Sequence, residues 1–190
     1  MNIFYLDEDV TECARMHVDK HCVKMILEYA QLLSTAHRVL DGHLLVGISD
    51  SGRKCKSWIL PDARSDVLYK ATHINHPSAV WVRESRANYK WLWKLLEALC
   101  SEYTYRYSKV HKVQREGLLE ELRFVPSGIK EHPAFTEPPC CMPDDCKVGR
   151  AGYVIDCDWN VSESYRNYYK VCKSSMFVWK NRPSPYWIDL

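Results

Sequence analysis

Apolar residues recur at helical spacing in several stretches of this chain, and the polar residues between them mark where each stretch starts and stops. The first stretch opens behind Asp9, which with Glu12 has capping-box spacing, Asp standing in place of the usual Ser or Thr. It allows a break near His17 and continues to Leu40, where Asp41-Gly42 stops it. At about 100° per residue, His17, His21, Lys24, Glu28, Gln31 and Thr35 fall in a sector roughly 80° wide. Cys22, Ile26, Tyr29, Ala30, Leu33 and Leu40 fall on a separate face. One face is expected to pack and the other to be free to act.

The remaining pattern predicts further elements. Asn2 to Leu6 (NIFYL) suits a short extended segment of aromatic and branched residues. Gly42 to Lys56, rich in glycine and serine, reads as a surface loop, after which Pro61 and Asp62 start a short helix through Ala71. His76-Pro77 places proline at a first helical position, and Val80, Trp81, Trp91, Leu92, Leu95 and Leu99 recur toward Tyr107 as a second long helix. Val110 to Val125 reads as another helix, weak at Gly117 and closed by Pro126. His132 to Gly152, with four prolines and three cysteines, reads as a surface loop. Asn160 or Ser162 caps a last helix to about Met176. The expected fold is mostly α: a single-domain helical bundle over residues 1–190, with a short N-terminal extended segment and long surface loops.

Composition refines this picture only modestly. The 190 residues fit one domain. A net charge of +2 permits an anionic partner without demanding one. No apolar run approaches the roughly 18 residues of a membrane span, and MNIFYLDEDV does not read as a signal peptide. The nine cysteines, an odd number scattered through regular-looking segments, fit a reducing compartment. A soluble, cytoplasmic protein with no membrane partner is expected; the sequence sets no oligomeric state.

The chemistry concentrates on the first long helix. Glu28, beside His21 and Lys24, reads either as a general acid or base or as an ordinary i, i+4 partner of Lys24. His17 and His21 have i, i+4 spacing for a metal, yet no third ligand completes a zincin pattern. His132, Cys140, Cys141, Cys146 and Cys157 offer thiolates and an imidazole without the usual C-x-x-C knuckle. No metal and no cofactor is therefore expected. Twelve tyrosines and seven tryptophans, several beside charge as in Tyr103-Tyr105-Arg106-Tyr107 and Trp179-Lys180-Asn181-Arg182, suit either base stacking or helix interfaces. His73, His76 and His111 either line the site or cap and fill helices.

Asp19-Lys20-His21 followed by Glu28 resembles the D-x-H...E first helix of the pyrimidine-dimer DNA glycosylases of the phage endonuclease V type. Thr72-His73 and Asn75-His76-Pro77 leading into Trp81, Tyr89 and Trp91 are similar to a later segment of that family, and Tyr165-Arg166-Asn167-Tyr168-Tyr169-Lys170 to its C-terminal aromatic and basic cluster. Together these segments span about half the chain. The segment THINHPSAVWVRES and the chain's opening also resemble those of longer viral proteins.

The glycosylase resemblance implies a DNA repair glycosylase with abasic-site lyase activity on damaged duplex DNA. The chain's α-amine would form a Schiff base with C1′ of the damaged nucleotide, and Glu28 would be the catalytic carboxylate. A free α-amine titrates near 8, so part of it is neutral at pH 7. Asn2 should disfavour removal of the initiator methionine, so the amine would be that of Met1, where the family exposes a threonine. His17, His21, Lys24, Gln31, His73, His76, Arg83, Tyr165, Arg166 and Tyr169 would hold the substrate. Two alternatives stand beside this reading: an enzyme processing a free nucleotide, and a noncatalytic viral DNA-binding protein in which Glu28 is a plain surface charge.

Overall fold

The computed structural model describes residues 1–48, 52–131, 134–150 and 158–188. About half of the chain is helical, and among the described residues the only sheet is one two-stranded hairpin. The buried side chains form one cluster, fed by the N-terminal segment and by the long helices. Among the described residues no helix is long and apolar enough to cross a membrane.

Helix α1 (Val10–Met16) starts where Asp9 accepts hydrogen bonds from the amides of Thr11 and Glu12. The expected break falls at His17 and Val18, both extended, and α2 (Asp19–Asp41) follows. Gly42 closes α2, and a Cβ there would meet the Arg38 carbonyl at 2.4 Å, so only glycine fits. Residues 2–6 form neither helix nor strand. Their backbone is satisfied by side chains instead: Tyr29 Oη accepts from the Phe4 amide, Cys13 Sγ donates to the Phe4 carbonyl and Arg166 Nε to that of Leu6.

The stretch expected as a loop over Gly42 to Lys56 is a hairpin, β1 (His43–Ile48) and β2 (Lys54–Ile59), antiparallel with His43 opposite Ile59 and Ile48 opposite Lys54. Both faces of β1 are exposed, so the apolar and polar alternation that betrays a half-buried strand is missing. The helix expected from Pro61 to Ala71 shrinks to one turn, α3 (Arg64–Val67). Arg38, buried on α2, explains this: its guanidinium donates to the carbonyls of Trp58 and Ser65 and, just past the end of α3, to those of Leu68 and Tyr69, which it holds out of a longer helix.

Proline 77 does open a helix, α4 (Pro77–Glu84), but the second long helix breaks once. Extended Ser85 ends α4, and its hydroxyl caps α5 (Arg86–Tyr107) through the Asn88 amide. Val110 to Val125 yields two single turns, α6 (Lys112–Arg115) and α7 (Leu118–Glu121), because Gly117 between them lies at φ +80°. Asn160 caps α8 (Val161–Cys172), which ends four residues before Met176; a 3-10 turn covers Ser174–Met176. The proline-rich loop is described over 134–150, where Pro138 and Cys146 are buried against the body. Asn88 pins it, donating to Thr136 Oγ1 and accepting from the Thr136 amide.

One buried cation ties the first helices to α5. Arg106, with no exposed side-chain surface, donates to Glu102 at 2.7 Å, to Asp19 at 2.9 Å and to the carbonyls of Arg15 and His17 at 2.8 Å each. Arg182 closes the far side of Glu102 at 2.9 Å. Burial pushes the Glu102 carboxyl up, yet Arg182 and Arg106 outweigh it and hold the group below the usual carboxylate range. Replacing Arg106 by methionine strands Asp19 and two carbonyls. Urea denaturation should show a loss of about 3 to 5 kcal/mol.

Three buried histidines each meet a tyrosine hydroxyl: His17 with Tyr29, His21 with Tyr169 and His37 with Tyr89. Burial pulls them down to about 4, 3 and 4 respectively, from an ordinary 6.5. Between those values and 6.5 the unfolded chain takes up protons that the fold refuses. Their contribution to stability is therefore complete above pH 6.5 and falls as the pH drops below it. At pH 5 each histidine should have withdrawn about 2 kcal/mol, read as a lowered urea midpoint relative to pH 7.

Candidate active site

The N-terminal half of α2 carries Lys24 and Glu28 one turn apart, paired at 3.1 Å. The lysine side chain is 67% exposed and the glutamate only 15%, so the carboxylate sits against the body with the cation outside. Facing it is the loop that enters α4. There His73 holds a left-handed backbone at φ +47° and its ring meets Thr72 Oγ1 at 2.7 Å. A non-glycine residue in that region is uncommon, and such strain gathers at functional loops. Thr35 on α2 anchors the loop by accepting from the Thr72 amide. Three residues on, His76 caps α4, its Nδ1 accepting from the Ser78 amide at 3.2 Å.

The charges around His76 are informative. Burial lowers its pKa first, the positive terminal amine of Met1 and then His73 lower it further, and Glu28 raises it. The amine and the carboxylate thus both lie close enough to His76 to move its titration. With Nδ1 occupied as an acceptor, neutral His76 carries its proton on Nε2 and presents a donor.

An open cleft of about 510 Å3 adjoins this group, lined by His76, Pro77, Pro139, Cys141, Met142 and Tyr168 among others. Asn2 joins the chain start to it: Nδ2 donates to the Cys141 carbonyl at 2.8 Å, while Oδ1 is buried with no partner among the described residues. Ser78 Oγ stands 3.7 Å from Cys141 Sγ. Lys173 lies over the Tyr168 ring, 4.8 Å from its centroid. A primary amine, a half-sheltered carboxylate and an imidazole donor beside an aromatic ring can attack a carbon, stabilise cationic character and exchange protons.

The expected substrate-binding residues divide. Lys24, Gln31, His73 and His76 lie on exposed or half-exposed surface near Glu28. His17 and His21 do not belong to a free face, because the sector that carries them is covered by the N-terminal segment and α8. His17 is fully buried, its Nδ1 on the Cys13 carbonyl and Nε2 on Tyr29. His21 is 6% exposed, stacks on Phe4 at 4.4 Å and bonds Tyr169 at 2.7 Å. Tyr165 and Tyr169 are likewise buried, Tyr165 donating to the Pro139 carbonyl. Arg166 is spent on Leu6, Glu163 and Asp7. Arg83 donates to the Ile74 carbonyl beneath the strained loop, and its buried Nη1 has no partner among the described residues. His111 caps α6 through the Val113 amide.

Among the described residues no three His, Cys, Asp or Glu side chains gather as a metal would need. Cys146 instead meets Cys172 at 3.8 Å, and His132 and Cys157 lie outside the described residues. Sequence reasoning missed Asn2, Ser78, Cys141 and Tyr168 as neighbours of the site. Asn2 and Cys141 are 139 residues apart, and no periodicity links them.

Comparison with protein-family models, with curated proteins and with solved structures finds no match for this chain.

The buried pairs separate structural from presented side chains. Tyr169→Phe should lower the unfolding free energy by about 1 to 3 kcal/mol through the orphaned His21 nitrogen. Lys24→Ala should stay within about 0.5 kcal/mol. Thermal or urea denaturation of the two variants checks both.

Proposed function

We propose that this chain is a DNA repair glycosylase with abasic-site lyase activity, built as a single-domain helical bundle and working in the reducing cytoplasm of a cell or of a viral host. The observation that carries the reading is the bond from Asn2, next to the terminal amine, to the carbonyl of Cys141, which lines the same cleft as His76. The resemblance of Asp19-Lys20-His21...Glu28 to the endonuclease V type supports the same roles. The eight described cysteines, all free thiols, suit the compartment.

In this reading the neutral Met1 amine attacks C1′ of the damaged nucleotide and the glycosidic bond breaks, the base leaving with the electron pair and then a proton. Glu28 stabilises the cationic sugar carbon; the nitrogen sheds a proton, its lone pair then breaks the C1′–O4′ bond, and O4′ takes up a proton as the ring opens to the protonated imine. The imine makes the C2′ hydrogen acidic. Its removal by Glu28 expels the 3′ phosphate, and water then hydrolyses the imine to free the amine. In the same reading His76 Nε2–H donates to a phosphate or sugar oxygen, and Lys24 and Gln31 meet the backbone. Tyr168 offers a ring for an extruded base.

A second reading, an enzyme acting on a free nucleotide, draws support from the cleft's size, which suits a small ligand. Salt separates the two. Affinity for duplex DNA falls steeply with ionic strength, as released counterions require.

Borohydride reduction of the chain with an abasic or photodimer duplex should yield a covalent adduct, with the modified residue identified by mass spectrometry as the N-terminal one. Acetylating that amine should abolish the adduct. Glu28→Gln should cut turnover by about 10²- to 10⁴-fold with duplex binding largely retained. No adduct, or an adduct indifferent to acetylation, would overturn the reading.

A further inference from the structure

The hairpin β1–β2 leaves α2 at Gly42 and is held at its base by Arg38 on the Trp58 carbonyl. Beyond that base it stands in solvent. Leu44, Leu45, Val46 and Ile48 are 49% to 76% exposed, a density of apolar surface that single chains seldom leave uncovered. A lone two-stranded hairpin is also marginal in water, and a third strand or a covering element is what normally sustains it.

The two strands differ in how their outer edges are defended. On β2, Lys54 and Lys56 stand opposite Ile48 and Val46. Edge lysines deter strand addition, since another strand would have to desolvate or oppose them. On β1, His-Leu-Leu-Val-Gly-Ile, there is no Lys, Arg, Asp, Glu or Pro, and His43 is the only titratable residue. The outer edge of β1 offers backbone donors and acceptors with none of the usual guards. One edge repels a strand and the other accepts one.

We propose that β1 pairs with β1 of a second copy of this chain, antiparallel about a two-fold axis, to give a four-stranded sheet with each β2 outermost. Charge argues for this partner. Self-pairing through β1 sets no lysine against lysine in any register, whereas pairing through β2 brings Lys54 and Lys56 toward their own copies. An antiparallel two-fold contact uses the same patch on both chains and closes at two, so it leaves no open edge for a filament except the lysine-guarded ones. The leucines and Val46 gain cross-strand neighbours in place of water.

Sedimentation of the full chain at roughly 100 μM, far above the Kd of an ordinary stable interface, should give twice the chain mass of 22.3 kDa. Val46→Lys and Ile48→Lys, each at an exposed position, should both return the mass to that of one chain, with the helical circular dichroism signal and thermal midpoint of the body retained. A single-chain mass for the unaltered protein overturns the proposal, and so does a dimer that survives both substitutions. A single-chain mass together with a duplex-DNA shift that Lys54→Ala and Lys56→Ala remove also overturns it, in favour of a nucleic-acid arm.

Discussion

The guanidinium of Arg106 is the contact on which the arrangement of the first forty residues depends. It lies with no exposed side-chain surface and takes up the carbonyls of Arg15 and His17, which the end of α1 leaves without helical partners. Its two carboxylates come from α2 and α5. A charge buried with this many partners is worth less as net stability than as geometry, because any alternative placement would leave donors or acceptors unmet. The bend between α1 and α2 is the structural result. Asp19 extends the same knot, accepting from the Lys180 amide while its own amide bonds the Val178 carbonyl, so the late strap over 178–182 is fastened at the same place.

From that bend α2 runs with part of its polar side covered, and the histidines there are met in an unusual way. His17, His21 and His37 each replace a surface histidine's water with a tyrosine hydroxyl. Tyr29 illustrates the economy: its oxygen accepts from the Phe4 amide and faces His17, so one hydroxyl settles a backbone group and a ring nitrogen together. The N-terminal segment is thereby fixed without a sheet. Its course brings Asn2 to the Cys141 carbonyl at the cleft.

Caps and stops were legible in the residues because they act locally. Asp9, Asp41-Gly42, His76-Pro77 and Asn160 each do what their side-chain chemistry prescribes. The hairpin was not legible, since its apolar residues project to both sides and no buried face imposes a period. For the site, helical spacing correctly put Lys24 and Glu28 side by side but could not tell a solvent face from one covered by α8. His21 has the same angular position as Glu28 and the opposite environment, because Phe4 and Tyr169 arrive from elsewhere in the chain. Nothing in periodicity carries such information. The cleft itself, lined by residues from the middle and the last third of the chain, belongs to the same class of fact.

The hydrogen bond from Arg166 to the Leu6 carbonyl spans 160 positions, and that from Asn2 to the Cys141 carbonyl spans 139. During synthesis Tyr29 and Cys13 emerge early enough to meet the Phe4 backbone, whereas Cys141 and Arg166 emerge only in the last third of the chain. Helices α2, α4 and α5 can associate in the meantime, and the bond from Arg166 to the Leu6 carbonyl forms only when α8 has emerged. The cleft needs Pro139, Cys141 and Tyr168 as well as His76 and is therefore a product of completion, which a nascent chain carries only in part.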